Sequence, residues 1–200
     1  MTSLAVSLPG VRALETDAEQ MAAAAHGDVE AFNGLVASHQ DFLYGVAVWA
    51  TGDAVLAEDA LQDGLFRAYA RAGLYRGEGP VRAWLARVVL NACRDAQRWH
   101  RRRRAEPLPA GASTIGADAA GDPHRELLVR ERARLLRAAL DRLGPDQQIA
   151  LVLYAVHGLE YEEIVLATSA PIGTVKSRIH HARLSLRELM AEHRDLFTDA

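Results

Sequence analysis

Apolar residues recur along this chain at three- and four-residue steps, and no convincing two-residue alternation interrupts them. That period belongs to helices with one face turned inward. The first such stretch opens at Asp28, a suitable N-cap, and carries Phe32, Leu35, Val36, Phe42, Leu43 and Val46. Thr51-Gly52-Asp53 breaks it and caps a second helix, whose predicted inward face is Leu56, Leu61, Leu65, Ala68 and Tyr69. The segment Tyr75-Arg76-Gly77-Glu78-Gly79-Pro80 reads as a turn, because its glycines and proline cannot continue a helix. Pro80 suits the first position of a third helix. That helix is expected to bury Trp84, Leu85, Val88, Ala92 and Ala96 and to run out in Arg101-Arg102-Arg103-Arg104.

From Ala105 to Asp122 the pattern stops. Pro, Gly, Ala and Ser dominate, and Leu108 and Ile115 are the only sizeable apolar residues, so this stretch reads as a flexible linker. Helix resumes at Asp122-Pro123, with Leu127, Leu128, Leu135, Leu136, Leu140 and Leu143 along one side. Gly144-Pro145 separates it from a helix over 146–156, which His157-Gly158 ends. A short helix over 160–167, a turn at Thr168-Ser169-Ala170-Pro171 and a long helix from Ile172 to about His193 complete the chain. The expected fold class is all-α, two small helical domains joined by a flexible linker, the second a helix-turn-helix domain. The expected boundaries are a frayed or disordered N-terminus at 1–16, a first domain at 17–104, the linker at 105–122 and a second domain at 123–194.

Half of the residues are apolar, ample for buried cores. The longest clean apolar run, Ile149 to Val156, is far too short to cross a bilayer. The N-terminal residues lack the basic start of a secretory signal, and a cytoplasmic location is the expectation. A single cysteine, Cys93, excludes an internal disulfide and a Cys-based metal cluster. With no Gly-rich phosphate loop, no paired carboxylates with a base and no metal-ligand spacing, neither a cofactor, a metal nor an enzymatic activity is expected. His180 and His181 are adjacent and so point to different helix faces.

A net charge of −3 argues against nucleic acid only if the charge is evenly spread, and it is not. Val81 to Arg104 holds eight arginines against one acid, Asp95. Thr174 to Arg187 holds Lys176, Arg178, Arg183 and Arg187 and no acid, whereas Asp53 to Asp63 holds four acids and no base. Within the first basic stripe Arg87, Asn91, Arg94 and Arg98 share one helix face. In the last helix, Ile172, Val175 and Ile179 are expected to pack inward with Ile164. The opposite face then presents Thr174, Lys176, Ser177, Arg178, His181 and Arg183. A helix fits the major groove of B-DNA, and its N-terminal residues reach base edges while nearby cations neutralise phosphates.

These residues resemble a family. Leu159-Glu160-Tyr161-Glu162-Glu163-Ile164 with Gly173-Thr174-Val175-Lys176-Ser177-Arg178-Ile179-His180-His181-Ala182-Arg183 looks like the −35-reading region of extracytoplasmic-function sigma factors of bacterial RNA polymerase. Leu143-Gly144-Pro145-Asp146-Gln147-Gln148 is similar to the start of that domain. Ala57-Glu58-Asp59-Ala60-Leu61-Gln62-Asp63-Gly64-Leu65-Phe66-Arg67-Ala68-Tyr69 resembles the family's polymerase-binding helix, and Arg76-Gly77-Glu78 with 81–87 and Asn91 its −10-reading element. The chain departs from the family pattern at Val165, Thr168-Ser169, Pro171 and Gly79-Pro80-Val81.

The resemblance implies binding to core polymerase through Asp59, Gln62, Asp63 and Arg67. It implies −10 contacts by Arg76, Arg82, Arg87, Asn91, Arg94, Arg98 and Arg101, and −35 contacts by Pro171, Thr174, Lys176, Ser177, Arg178, His181 and Arg183. The implied partners are core RNA polymerase (its β′ clamp and β flap), promoter DNA and an inhibitory anti-sigma protein, with no membrane insertion. An 18-residue linker reaches roughly 60 Å when extended, which with the domains spans the roughly 70 Å between two promoter elements two helical turns apart. The other reading is a helix-turn-helix regulator working without polymerase. It explains residues 124–194 and leaves the acidic helix and the arginine-ended helix unused.

Overall fold

The computed structural model describes residues 16–103 and 123–193, with side chains from residue 130 onward in the second stretch. The expected linker at 105–122 and the first fifteen residues lie outside the described residues. Among the described residues there are eight α-helices and no strand, as the period of the apolar positions leads one to expect.

Helix α1 (Asp17–Ala25) precedes the first helix that periodicity picks out. A capping box starts it: Thr16 Oγ1 accepts the Glu19 N–H, and the Glu19 carboxylate accepts the Thr16 N–H at 2.8 Å. The Thr-x-x-Glu signal stands in the sequence, but only Met21 and Ala24 are buried on so short a helix, too few to show a period. Helix α2 (Val29–Thr51) is capped by Asp28, which accepts the Ala31 N–H at 3.0 Å. It ends at Gly52, whose φ of 74° is the left-handed conformation that closes many helices.

Helix α3 (Ala54–Ala70) is capped by Asp53, as expected, but its buried face differs from expectation. Ala57, Ala60, Gly64 and Ala68 face inward, while Leu56, Leu61, Leu65 and Tyr69 are only half-buried. The reason is close approach to α4 (Val81–Arg103): a Cβ on Gly64 would lie 3.1 Å from the Val89 Cα. Small side chains form the seam because larger ones would force the two backbones apart. Helix α4 in turn buries Val81, Leu85, Val88, Val89, Leu90, Ala92 and Cys93. Trp84 and Ala96, expected inside, lie at its half-buried edge, where the Trp84 ring meets Tyr75 edge-on at 6.0 Å. Burial pushes the Cys93 thiol up to about 12, which leaves it protonated and unreactive.

The second group comprises α5 (Pro123–Leu140), α6 (Pro145–Ala155), α7 (Tyr161–Thr168) and α8 (Ile172–Leu189). Leu140, Leu143, Ile149, Leu153, Leu159, Ile164, Val175 and Ile179 build its core. Leu136, expected in that core, is exposed, and so is Ile172, at the first position of α8. Leu127 and Leu128 fall where side chains are not described. Helix α8 stops at Leu189 and gives way to a 3₁₀ turn at Ala191–His193, short of the expected end.

Helix α7 ends on Ser169 at φ 57°, the only non-glycine residue with positive φ among the described residues. An L side chain in this conformation is strained. Ser169→Gly is expected to add about 0.5–1 kcal/mol to stability, read as a higher midpoint in a circular-dichroism melt of the full chain. An unchanged or lower midpoint would show that the serine carries no strain.

Candidate polymerase and DNA interfaces

Packing the small-residue face of α3 against α4 turns the opposite face to solvent. Val55, Asp59, Gln62 and Phe66 recur there at four-, three- and four-residue steps, with Val55 71% and Phe66 69% exposed. Neither Asp59 nor Gln62 has a side-chain hydrogen bond or ion pair among the described residues, so both are free to meet a partner. Asp63 and Arg67 differ. Arg67 Nη2 pairs with Asp63 at 2.6 Å and its Nη1 with Asp95 on α4 at 2.6 Å, while Arg98 holds the other Asp95 oxygen at 2.6 Å. The hydrogen bond from Arg67, then that from Arg98, holds the Asp95 carboxyl below its usual range. These groups brace α3 to α4. Sequence reasoning missed Val55 and Phe66; the signal was two large apolar residues in register with the acids and out of register with the inward face.

Of the −10 candidates, Arg76, Arg87, Asn91, Arg98 and Arg101 are exposed and Arg82 and Arg94 half-buried. Arg94 donates to the Asn91 amide oxygen at 3.1 Å, which orients the amide on the face they share with Arg87. Arg67, Arg71, Leu74, Trp84, Arg87 and Asn91 line an open cavity of about 300 Å³. Cations, an amide and an indole in one hollow can hold a phosphate and stack or hydrogen-bond an unpaired base. Trp99, further along α4, is 48% exposed and covered by the Arg103 guanidinium at 4.1 Å. Arg82 faces elsewhere. Its Nε and Nη2 donate to the two carboxylate oxygens of Glu163 on α7 at 2.9 and 2.8 Å. That pairing holds the Glu163 carboxyl below its usual range.

The −35 candidates lie on α8. Val175, Ile179 and Ala182 form its buried stripe, and Thr174, Lys176, Ser177, His181 and Arg183 are exposed on the rest of the surface. Arg178 is half-buried and paired with Asp146 at the start of α6. Two cations lie over tyrosine rings: Lys176 over Tyr161 at 5.6 Å and Arg183 over Tyr154 at 4.8 Å. Exposed Pro171 holds the N-cap position without a side-chain cap, and no acid stands in the first turn. The first backbone N–H groups are left for an outside acceptor, and the helix dipole favours an anion there. Among the described residues no three His, Cys, Asp or Glu side chains cluster as metal ligands.

The two surfaces coincide with two sequence families. Residues 35–104 match the family described as Sigma-70 region 2, and residues 133–186 match Sigma-70, region 4. The ECF RNA polymerase sigma factor SigM of Mycobacterium tuberculosis is 34% identical over 181 residues, covering 90% of this chain and 88% of that protein. The chain is an ECF sigma factor. The sigma factor SigE of Mycolicibacterium smegmatis is 36% identical over 162 residues, and this sigma factor spans 61% of its length against 80% of its own. Among solved structures, the sigma factor RpoE of Bartonella quintana, in complex with the anti-sigma factor NepR, superposes with a TM-score of 0.68. It is 25% identical and covers 82% of this sigma factor and 98% of that chain. Region 2 accordingly takes in α3 and α4, and region 4 takes in the helix-turn-helix of α7 and α8.

Proposed function

We propose that this sigma factor joins core RNA polymerase through the exposed face of α3 and then reads promoter DNA with two separate surfaces. Residues 17–104 serve the polymerase clamp and the −10 element, and residues 123–194 the −35 element and the β flap, with 105–122 as the tether. The observation that carries this reading is the segregation of charge onto distinct helix faces: exposed acids on α3, cations on α4 and α8. An acidic face repels DNA and is available to a basic protein surface, whereas the cationic faces suit phosphates. Asp59 and Gln62 act as direct polymerase contacts, supported by the Asp63–Arg67 brace. Arg87 and Asn91, oriented by Arg94, serve the unpaired −10 strand beside Arg76, Arg98 and Arg101. Thr174, Lys176, Ser177, His181 and Arg183 enter the −35 groove behind Pro171, with Arg178 released from Asp146 on binding. The chain performs no catalysis of its own, acts in the cytoplasm where the polymerase works, and is held in check by an anti-sigma protein, as its Bartonella neighbour is found with one.

Run-off transcription on genomic fragments tests this. Adding the chain to core polymerase is expected to produce defined start sites that core alone does not. If no fragment is initiated any better, the reading fails. A gel shift separates the remaining alternative, since tight, sequence-selective binding without polymerase would mark a stand-alone helix-turn-helix regulator.

A further inference from the structure

The polar residues of α8 fall on two flanks. Thr174, Ser177, Arg178 and His181 recur at three- and four-residue steps on one of them. Lys176 and Arg183, seven residues and two turns apart, share the other. On the first flank Arg178 is tied to Asp146. On the second, neither cation has a carboxylate partner among the described residues. Each lies over a tyrosine ring instead, Lys176 Nζ 5.6 Å from the centre of Tyr161 and the Arg183 guanidinium 4.8 Å from that of Tyr154. The two rings are stacked on one another, with centroids 5.3 Å apart and planes at 16°.

The corner between α6 and α7 builds this stack. Tyr154 stands in the last turn of α6 and Tyr161 at the first position of α7. Gly158, at φ +65°, lets the chain fold back between them, and the Leu159 N–H donates to the Leu153 carbonyl at 3.0 Å. Helix α8 packs on both α6 and α7 and so crosses the corner. Both rings are half-buried, whereas Lys176 and Arg183 are exposed. A carboxylate that restrained these cations would also cancel their charge, and a phosphate would have to displace it. A ring face restrains the side chain and leaves its charge and N–H donors available. A cation already restrained loses less freedom when it meets a phosphate. We infer that the Tyr154–Tyr161 stack is a positioning platform that holds Lys176 and Arg183 ready for the phosphate backbone beside the −35 groove, restraining both without neutralising them. The platform rests on the −35 role proposed above and deepens it, since the two tyrosines act through the cations.

Tyr154→Leu removes one ring, and Tyr154→Phe restores the ring face without the hydroxyl. In the free full chain, nitrogen relaxation measured by NMR at Arg183 Nε is expected to show restricted motion in the parent and in Tyr154→Phe, and freer motion in Tyr154→Leu. The second readout is the affinity of the reconstituted holoenzyme for a duplex fragment whose start site has been mapped by run-off. Tyr154→Leu is expected to weaken it about three- to fivefold at an unchanged salt slope, and Tyr154→Phe to recover it. Arg183→Ala is expected to lower the salt slope by about one, and Tyr154→Leu added to it to cause no further loss. Tyr161→Leu repeats the comparison through Lys176 and decides the matter if circular dichroism shows Tyr154→Leu to be unfolded. Parent-like motion of Arg183 in Tyr154→Leu would overturn the platform. So would a loss that persists beside Arg183→Ala, because a ring that only supports the core does not act through the arginine. If no fragment is initiated at all, the promoter reading fails, and the relaxation measurement still decides the platform.

Discussion

Asp59→Arg is expected to weaken the affinity of this sigma factor for core polymerase about 30- to 100-fold, or roughly 2–3 kcal/mol. The residue is exposed at the centre of the α3 stripe, has no partner to lose among the described residues, and lies between Val55 and Phe66. Reversing its charge puts a cation at the centre of the proposed polymerase contact, and leaves the α3–α4 seam of Ala57, Ala60, Gly64 and Ala68 untouched. Phe66→Ala is expected to act in the same direction by about tenfold, through lost apolar burial at the interface. Asp41→Arg supplies the comparison, since it makes the same change in net charge at an exposed position on α2. The three variants are measured by competition against the parent for core polymerase, with circular dichroism to show that each is folded. Parent-like competition by Asp59→Arg, or an equal loss in Asp41→Arg, would remove α3 from the interface. Asp63→Arg is the poorer probe, because Arg67 ties Asp63 into the brace with Asp95 and the loss would mix folding with binding.

Ile179→Ala has the largest expected effect on stability. Ile179 is 2% exposed on the inner stripe of α8, between Val175 and Ala182. Truncating a buried isoleucine to alanine costs about 2–5 kcal/mol through lost transfer energy and the cavity left behind. Region 4 is a small helical unit whose whole stability is of similar size. The variant is therefore expected to melt region 4 while α1–α4 stay folded, visible as loss of part of the helical signal at a lower temperature. Polymerase binding through α3 should survive while start-site selection at promoters that depend on the −35 element is lost. A single cooperative melt near the parent's midpoint would contradict this.

The comparison of expectation with structure turns on what kind of information a helix period carries. Asp28 and Asp53 were legible as caps because a short polar side chain before an apolar stripe has few other uses, and Gly52 and Gly158 as stops because they take positive φ. The helix-turn-helix was equally legible: Ile164, Val175 and Ile179 mark one inner face across the turn, which forces Thr174, Lys176, Ser177, His181 and Arg183 outward. The period failed for α3. It reports where large apolar side chains recur, whereas burial there was decided by how closely two backbones approach, and close approach selects alanine and glycine. Trp84 was placed inside for the same reason and lies instead at the rim of the cavity with Arg87 and Asn91.

What the amino-acid order determined by itself is therefore local: eight helical segments bar the short α1, their caps, the helix-turn-helix, and the separation of acids from arginines. These follow from interactions within a few residues, where spacing along the chain equals spacing in space. Only the tertiary structure decided which charges are already spent. Arg67 braces α3 to α4 through Asp95, Arg178 is paired with Asp146, and Arg82 is held by Glu163. Each of these pairs joins residues at least 28 positions apart, a distance at which no pattern in the sequence couples one side chain to the other. Their partners were set by how helices packed, and packing is the sum of many buried contacts rather than a property of either residue.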